Sequence, residues 1–161
     1  QDGTIVTDGN LDTRLGIDSI LDQDRASTWH NIQSICHNLY MLVGLGTDGT
    51  VHVDGDHFKN NPAWCEVLKS WKSVLQVCVG EQHVLALHKD GTVSATGRDQ
   101  YGQCRVNLWR DIIAVAAGAD YSVGITANGE LIRTDYTVEK KWLGQKIVPA
   151  KNARILPCKL F

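Results

Sequence analysis

At 161 residues, 43% of them apolar, the chain is long enough to bury one real hydrophobic core. A formal net charge of −2 leaves no broad basic face for nucleic acid, and no apolar run reaches the ~20 residues that a membrane-spanning helix needs. No secretory signal precedes the patterned segments, and the chain opens on Gln1 in the middle of a pattern, as a processed or excised piece would.

The first element is a half pattern, DGTIVTDG from Asp2: a turn, a short β-rich run and a second Asp-Gly. Residues Leu15–Asp24, LGIDSILDQD, form the one stretch that predicts a short helix. From Trp29 the chain repeats itself. WHNIQSICHNLYMLVGLGTDGTV begins at Trp29, WKSVLQVCVGEQHVLALHKDGTV at Trp71 and WRDIIAVAAGADYSVGITANGEL at Trp109. In each copy the turn residue before Gly (Asp48, Asp90, Asn128) lies 19 positions after the Trp. Gly80 and Gly118 also align, with Asn38 in their place in the first copy. Asn is the residue other than Gly that best tolerates positive φ, so this position predicts a tight left-handed turn.

Within one copy, IIAVAAG reads as a strand buried on both faces, YSVGIT as a second strand and ELIRT as a third. The Asp-Gly and Asn-Gly pairs join the second strand to the third as tight hairpins. A looser loop follows, GDHFKNNPAWC from Gly55 to Cys65 or GRDQYGQC from Gly97 to Cys104. A short fourth strand such as CRVNL then leads to the next Trp. Such a four-stranded antiparallel meander of about 40 residues is the size of a propeller blade. Trp29, Trp71 and Trp109 hold one repeat position and read as blade-packing residues, whereas Trp64 and Trp142 lie off that register and are freer to contact a partner.

These residues carry a family resemblance. The middle copy, with Trp71, Val77, Gly80, His83, Leu87, Asp90, Gly91, Thr92, Val93, Gly97, Tyr101, Gly102, Gln103 and Cys104, resembles the repeat of the regulator of chromosome condensation (RCC1-like) family. Its short GQC form is similar to bacterial members. The resemblance covers about residues 2–135 and implies an all-β propeller, whose family form is a seven-bladed ring. The chain holds about three blades, with repeats starting near residues 29, 71 and 109, and a part-blade over 2–28. The segment 136–161 is atypical: Trp142 falls 33 residues after Trp109 and no second Asp-Gly turn follows. It is either a cap or a strand pair that completes the N-terminal half blade. The expected architecture over 1–161 is therefore a partial propeller or a small closed ring of about four blades. An open arc would expose strand edges for self-association or for pairing with other blades.

Five cysteines is an odd number. Cys36 and Cys78 share a position that Ala116 fills in the third copy, which marks it as a small buried hydrophobe. Cys65 and Cys104 share another. This usage predicts free thiols in a reducing, cytoplasmic setting.

Candidate chemistry is sparse. His52, Asp54, Asp56 and His57 crowd together with Cys65 beyond, but none of the ligand spacings of zinc motifs is present, and the repeat explains His52 as a strand residue. Strand alternation puts Cys36 and His37 on opposite faces, and no Ser-His-Asp or Cys-His arrangement can be assembled. No catalytic group, metal or cofactor is expected. The polar residues that vary between copies sit in two loop sets. Tyr40, Glu81, Gln82, Asp120 and Tyr121 lie between first and second strands, and Arg98, Asp99, Gln100 and Tyr101 follow a third strand. Strand reversal puts both sets on one face, and variable loops on a repeated scaffold are where binding resides. Taken singly, each is also what an ordinary solvated turn carries. Met41, His83 and Tyr121 share one position and are expected to start the second strand and pack inward.

The expected function is a non-enzymatic protein–protein interaction scaffold that grips a protein partner through these loops, with no nucleic acid or membrane partner. Two alternatives come with the resemblance. One is a guanine nucleotide exchange factor for a small GTPase, whose acidic, wedge-like loop features have no match here. The other is a secreted propeller inhibitor of an enzyme, which the cysteine usage disfavours. An enzyme working from the central funnel is a third and weaker one.

Overall fold

The computed structural model describes residues 28–134. The half pattern at Asp2, the helix expected at 15–24 and the segment 136–161 lie outside the described residues. The chain divides into two compact units with the boundary between Val74 and Leu75.

The first unit carries a three-stranded antiparallel sheet, β1 (Ile32–His37), β2 (Leu42–Gly46) and β3 (Val51–Asp54), in the order β1-β2-β3. Two helices follow, α1 (Asp56–Asn60) and α2 (Pro62–Ser70), and both pack against β3. The second unit carries two more such meanders. One is β4 (Val74–Val79), β5 (His83–His88) and β6 (Val93–Gly97), whose first residue lies just before the boundary. The other is β7 (Ile112–Ala117), β8 (Ser122–Thr126) and β9 (Leu131–Thr134). The fold is nearly all-β, as the sequence predicts.

The hairpin turns form as expected. Gly49, Gly91 and Gly129 have φ of 83°, 77° and 85°, a region where a side chain is strained. The Asp48 carboxylate accepts the Thr50 N–H at 2.9 Å and its hydroxyl at 2.7 Å, and Asp90 does the same to Thr92 at 3.0 and 2.7 Å. These bonds favour the charged form and hold both carboxyls below the usual range. The repeated Trp packs on its own sheet: a Cβ on Gly44 would fall 2.8 Å from the Trp29 ring, and one on Gly124 would fall 2.9 Å from Trp109.

Four expectations are corrected. First, neither described inter-repeat segment forms a fourth strand. GDHFKNNPAWC runs into α1 and the start of α2, with Pro62 in the first turn where its missing N–H costs nothing and Leu68 turned inward. CRVNL is a run of turns, Val106 N to Cys104 O at 2.9 Å and Trp109 N to Val106 O at 2.9 Å, that still buries Val106. Second, the first strands are not buried on both faces. Ile35 and Ile113 are 45% and 40% exposed. Register shifts between Ile32 and Ser34 and between Ile112 and Ala114, so Gln33 and Ile113 sit in β-bulges at equivalent positions and point out. Third, the position shared by Cys36, Cys78 and Ala116 is not uniformly inside: both cysteines are buried and Ala116 is exposed.

Fourth, Asn38, Gly80 and Gly118 do not take positive φ. At Gly80 and Gly118 glycine is required for room. A Cβ on Gly80 would fall 2.3 Å from the His83 ring, and one on Gly118 would fall 2.4 Å from the Tyr121 ring. The left-handed residues are Asn31, Ser73 and Asp111, at φ of 57°, 55° and 54°, each two positions after a repeat Trp. They turn the chain so that the first strand's N–H meets the preceding hairpin: Val74 N to Gly49 O at 3.3 Å and Ile112 N to Gly91 O at 3.0 Å.

In the second unit the two sheets share one core, with Cys78, Leu85, Leu87, Val93, Val106, Ile112, Val115 and Ala117 buried together. A polar bridge reinforces it. The Gln76 side chain in β4 accepts from Val115 N at 3.1 Å and donates to Val115 O at 3.0 Å. The Cys78 thiol donates to the same carbonyl at 3.2 Å. Val115 lies on the open edge of β7, so the amide of Gln76 stands in for a neighbouring strand. Gln76→Leu keeps the bulk and removes both bonds. It should cost about 2 kcal/mol in urea unfolding with an unchanged m-value.

Candidate partner-binding face

In the first unit the turn between β1 and β2 carries Tyr40. The Asn38 carboxamide oxygen accepts from Tyr40 N at 2.7 Å and Met41 N at 2.9 Å, which fixes the turn. The Tyr40 ring, 47% exposed, stacks on His57 of α1 at 4.9 Å and 11°. Trp64 of α2 meets His57 edge-on at 6.4 Å. Backbone ties the two loops together: His57 N donates to Tyr40 O at 3.2 Å, and Gly55, at φ 122°, lets the chain pass close beneath Tyr40. Trp64 is therefore part of an aromatic stack and is partly buried.

In the second unit the corresponding loops also meet. Arg98 N donates to Gln82 O at 2.8 Å, and its guanidinium donates to the Gln82 side chain at 3.2 Å and to the Gln100 side chain. The same guanidinium lies 5.9 Å from the centre of the Tyr101 ring, which is 49% exposed. Asp99, exposed, ties down the loop by accepting Cys104 N at 2.8 Å, and it lies 4.0 Å from Arg105 Nε. Gln103 accepts Tyr101 N at 2.9 Å. Glu81 and Asp120 stand exposed on their turns. Tyr121 is half-buried under Arg133 of β9, whose guanidinium lies 3.8 Å from the ring centre.

Gln82, Arg98, Gln100 and Tyr101 thus form one connected patch. Tyr40 belongs to a separate cluster in the other unit, and Tyr121 to a third contact with Arg133. The sequence reading put the loop Asp56 to Asn61 on this face without singling out His57, and it missed Arg133. The register of the β8–β9 hairpin, Val123 opposite Arg133, sets Arg133 diagonal to Tyr121, so counting outward from the Asn-Gly turn could have found it.

Met41, His83 and Tyr121 differ in their fates. Met41 and His83 are fully buried, while Tyr121 is half-exposed and immediately precedes β8. The His83 Nε2 lies 3.0 Å from the Ser122 hydroxyl, and that hydroxyl donates to Gln103 O at 2.7 Å. The Ser proton is therefore already placed, and His83 is the donor in its contact with Ser122. As a donor to the hydroxyl, the His83 Nε2 cannot take its proton, so the pair is a buried polar link rather than a nucleophile and its base.

Of the residues weighed as metal ligands, His52 packs near Trp29 at 5.5 Å, His57 lies under Tyr40, and Cys65 donates to Phe58 O at 3.6 Å. Among the described residues no group of three or more His, Cys, Asp or Glu converges as a metal site would require. Nor, among them, is any helix long and apolar enough to cross a membrane.

The Cys104 thiol repeats the Cys65 contact, donating to Arg98 O at 3.4 Å. Burial, with the Asp99 charge beside it, pushes this thiol up to about 12. At pH 8 its thiolate fraction is on the order of 10⁻⁴. Cys104 should therefore stay unalkylated by iodoacetamide in the folded protein at pH 8 and react promptly in urea. Peptide mapping by mass spectrometry checks this.

Three meanders of one pattern, each entered through a left-handed residue two positions after a Trp, define a repeat protein of the propeller class. Residues 74–103 match the family described as the regulator of chromosome condensation (RCC1) repeat. No curated protein matches the chain. Solved structures do. Prp20p from Saccharomyces cerevisiae, solved together with its binding properties to Gsp1p and histones, matches at 20% identity and TM-score 0.50, over 65% of this chain and 32% of its own. The ectodomain of the Arabidopsis thaliana receptor kinase ACR4 matches at 17% and 0.51, over 65% and 36%. The C-terminal domain of gp131 from bacteriophage phiKZ matches at 16% and 0.51, over 81% and 42%. The fold is thus that of part of an RCC1-like propeller, and the chain spans about a third to two fifths of these structures.

Proposed function

We propose that the chain is a non-enzymatic interaction scaffold that binds a protein partner through the loops after its first and third strands. The observation that carries this reading is the patch of Gln82, Arg98, Gln100 and Tyr101. Here polar bonds hold an Arg and an exposed Tyr in place before any partner arrives. Arg and Tyr are the side chains that most often anchor protein interfaces, and a side chain already ordered loses less entropy on binding. The fold gives such loops a rigid base. The likeness to Prp20p, described with its binding to Gsp1p and histones, supports a protein as the partner class. Open strand edges offer a second route, to self-association or to further blades.

The test is affinity capture with the whole chain as bait, beside the double variant Arg98→Ala, Tyr101→Ala. A partner that binds the parent saturably should lose affinity by on the order of 100-fold in the variant, whose melting temperature stays within a few degrees of the parent. Undiminished binding by a folded double variant would move the site off this patch.

A further inference from the structure

Beneath that patch lies a buried polar cluster that the interaction reading does not use. His83 in β5, Ser122 at the start of β8 and Gln103 in the loop after β6 are all fully buried. Ser122 is bonded on every side: its hydroxyl to His83 and Gln103, and its N–H to the Thr134 hydroxyl at 2.8 Å. The link runs between the two sheets of the second unit and into the loop that carries Arg98 and Tyr101. Two atoms of the cluster, His83 Nδ1 and Gln103 Nε2, are buried with no hydrogen-bond partner among the described residues. With Nε2 donating, Nδ1 is a bare lone pair packed over Gly80.

The geometry points to an acid-sensitive latch: the His83–Ser122–Gln103 cluster holds the Gln82–Arg98–Tyr101 loops in place while His83 is neutral and lets them go when its ring is protonated. The physical reason is direct. Protonation puts a charge and a second N–H into a buried site where Nδ1 has no hydrogen-bond partner among the described residues, and the Tyr121 backbone favours the charged ring less than burial disfavours it. Among the described residues, the charges that act on the ring are the carboxylates of Asp120, on the β7–β8 turn, and Asp99, in the loop after β6. Glu81, Arg98, Arg105 and Arg133 are the other ionised side chains of the surrounding turns, loop and strand. Asp99 and Asp120 partly offset burial, which still dominates and lowers the ring from 6.5 to about 4. They also supply the direction of release, since a charged ring gains by swinging toward them. This inference does not depend on the patch binding anything.

The sign follows from linkage. The unfolded chain takes up the proton first as pH falls through 6.5, so the stability that His83 provides is complete above that value. It is lost progressively down to about pH 4 and falls no further below it. Over that span the loss is roughly 300-fold in the folding constant. The repeat itself supplies the control, since Met41 fills the same position in the first copy. We would follow urea unfolding and loop amide exchange of the whole chain from pH 7.5 to pH 4, in the parent and in His83→Met. The variant should lose the His83 part of the acid dependence, and its Arg98–Tyr101 amides should stay protected in acid. An identical pH profile in both proteins overturns the latch. If His83→Met fails to fold, the His83 ring protons of the parent decide by NMR: a midpoint near 4 supports the latch, and one near 6.5 overturns it.

Discussion

The second unit depends on the amide of Gln76 bonded in both directions to the peptide of Val115. A three-stranded sheet cannot cover its own faces or its own edges. Its apolar face is covered by the next sheet through Leu85, Leu87, Ile112 and Val115, but that packing is non-directional and would tolerate a slipped register. The paired bonds from one side-chain amide to one peptide are not tolerant. They set which residue of β7 lies against β4, and they satisfy an edge that would otherwise remain open. The left-handed Asp111 does the same work further along, bringing Ile112 N onto Gly91 O. Hydrophobic burial drives the sheets together, and a few oriented polar contacts choose the alignment.

What could be read in the sequence follows from this division. The hairpins were legible because an Asp-Gly or Asn-Gly pair encodes a local geometry in adjacent residues, with a Thr following it in the first two. The repeated Trp was legible because it recurs at a fixed distance before the hairpin, and for Trp29 and Trp109 a glycine on the same sheet makes room for the ring. The left-handed residues were not, because Asn31, Ser73 and Asp111 share no residue type, and only their common place after Trp betrays them. Gly80 and Gly118 were legible as required glycines but not for the right reason. The sequence cannot tell a glycine needed for its φ from one needed because a ring lies where its Cβ would be. The helices were missed because α2 has nine residues and buries little beyond Leu68, too short a stripe to stand out from a loop.

The candidate site shows the same limit. Loop residues could be grouped on one side by counting strand reversals, and the bonds from Arg98 to Gln82 bear that out within the second unit. Which loop residue touches which could not be counted. His57 joins Tyr40 only because α1 forms where a loop was expected, and Arg133 reaches Tyr121 from a strand that looked purely structural.

The position held by Met41, His83 and Tyr121 shows how one scaffold can carry different chemistry in each copy. The backbone there is nearly the same three times, and each occupant closes the turn after a first strand. Met41 needs only volume and is fully buried. Tyr121 keeps its ring at the surface, where a guanidinium covers it. His83 is buried like the methionine but carries a nitrogen that must find a partner, so Ser122 and Gln103 have to be where they are. The apolar solution has no ring nitrogen to satisfy and no group to titrate. A polar side chain at a site that tolerates methionine elsewhere in the same chain ties the fold of that unit to its protonation state, and the loops that follow β6 are the part of the surface tied most closely to it.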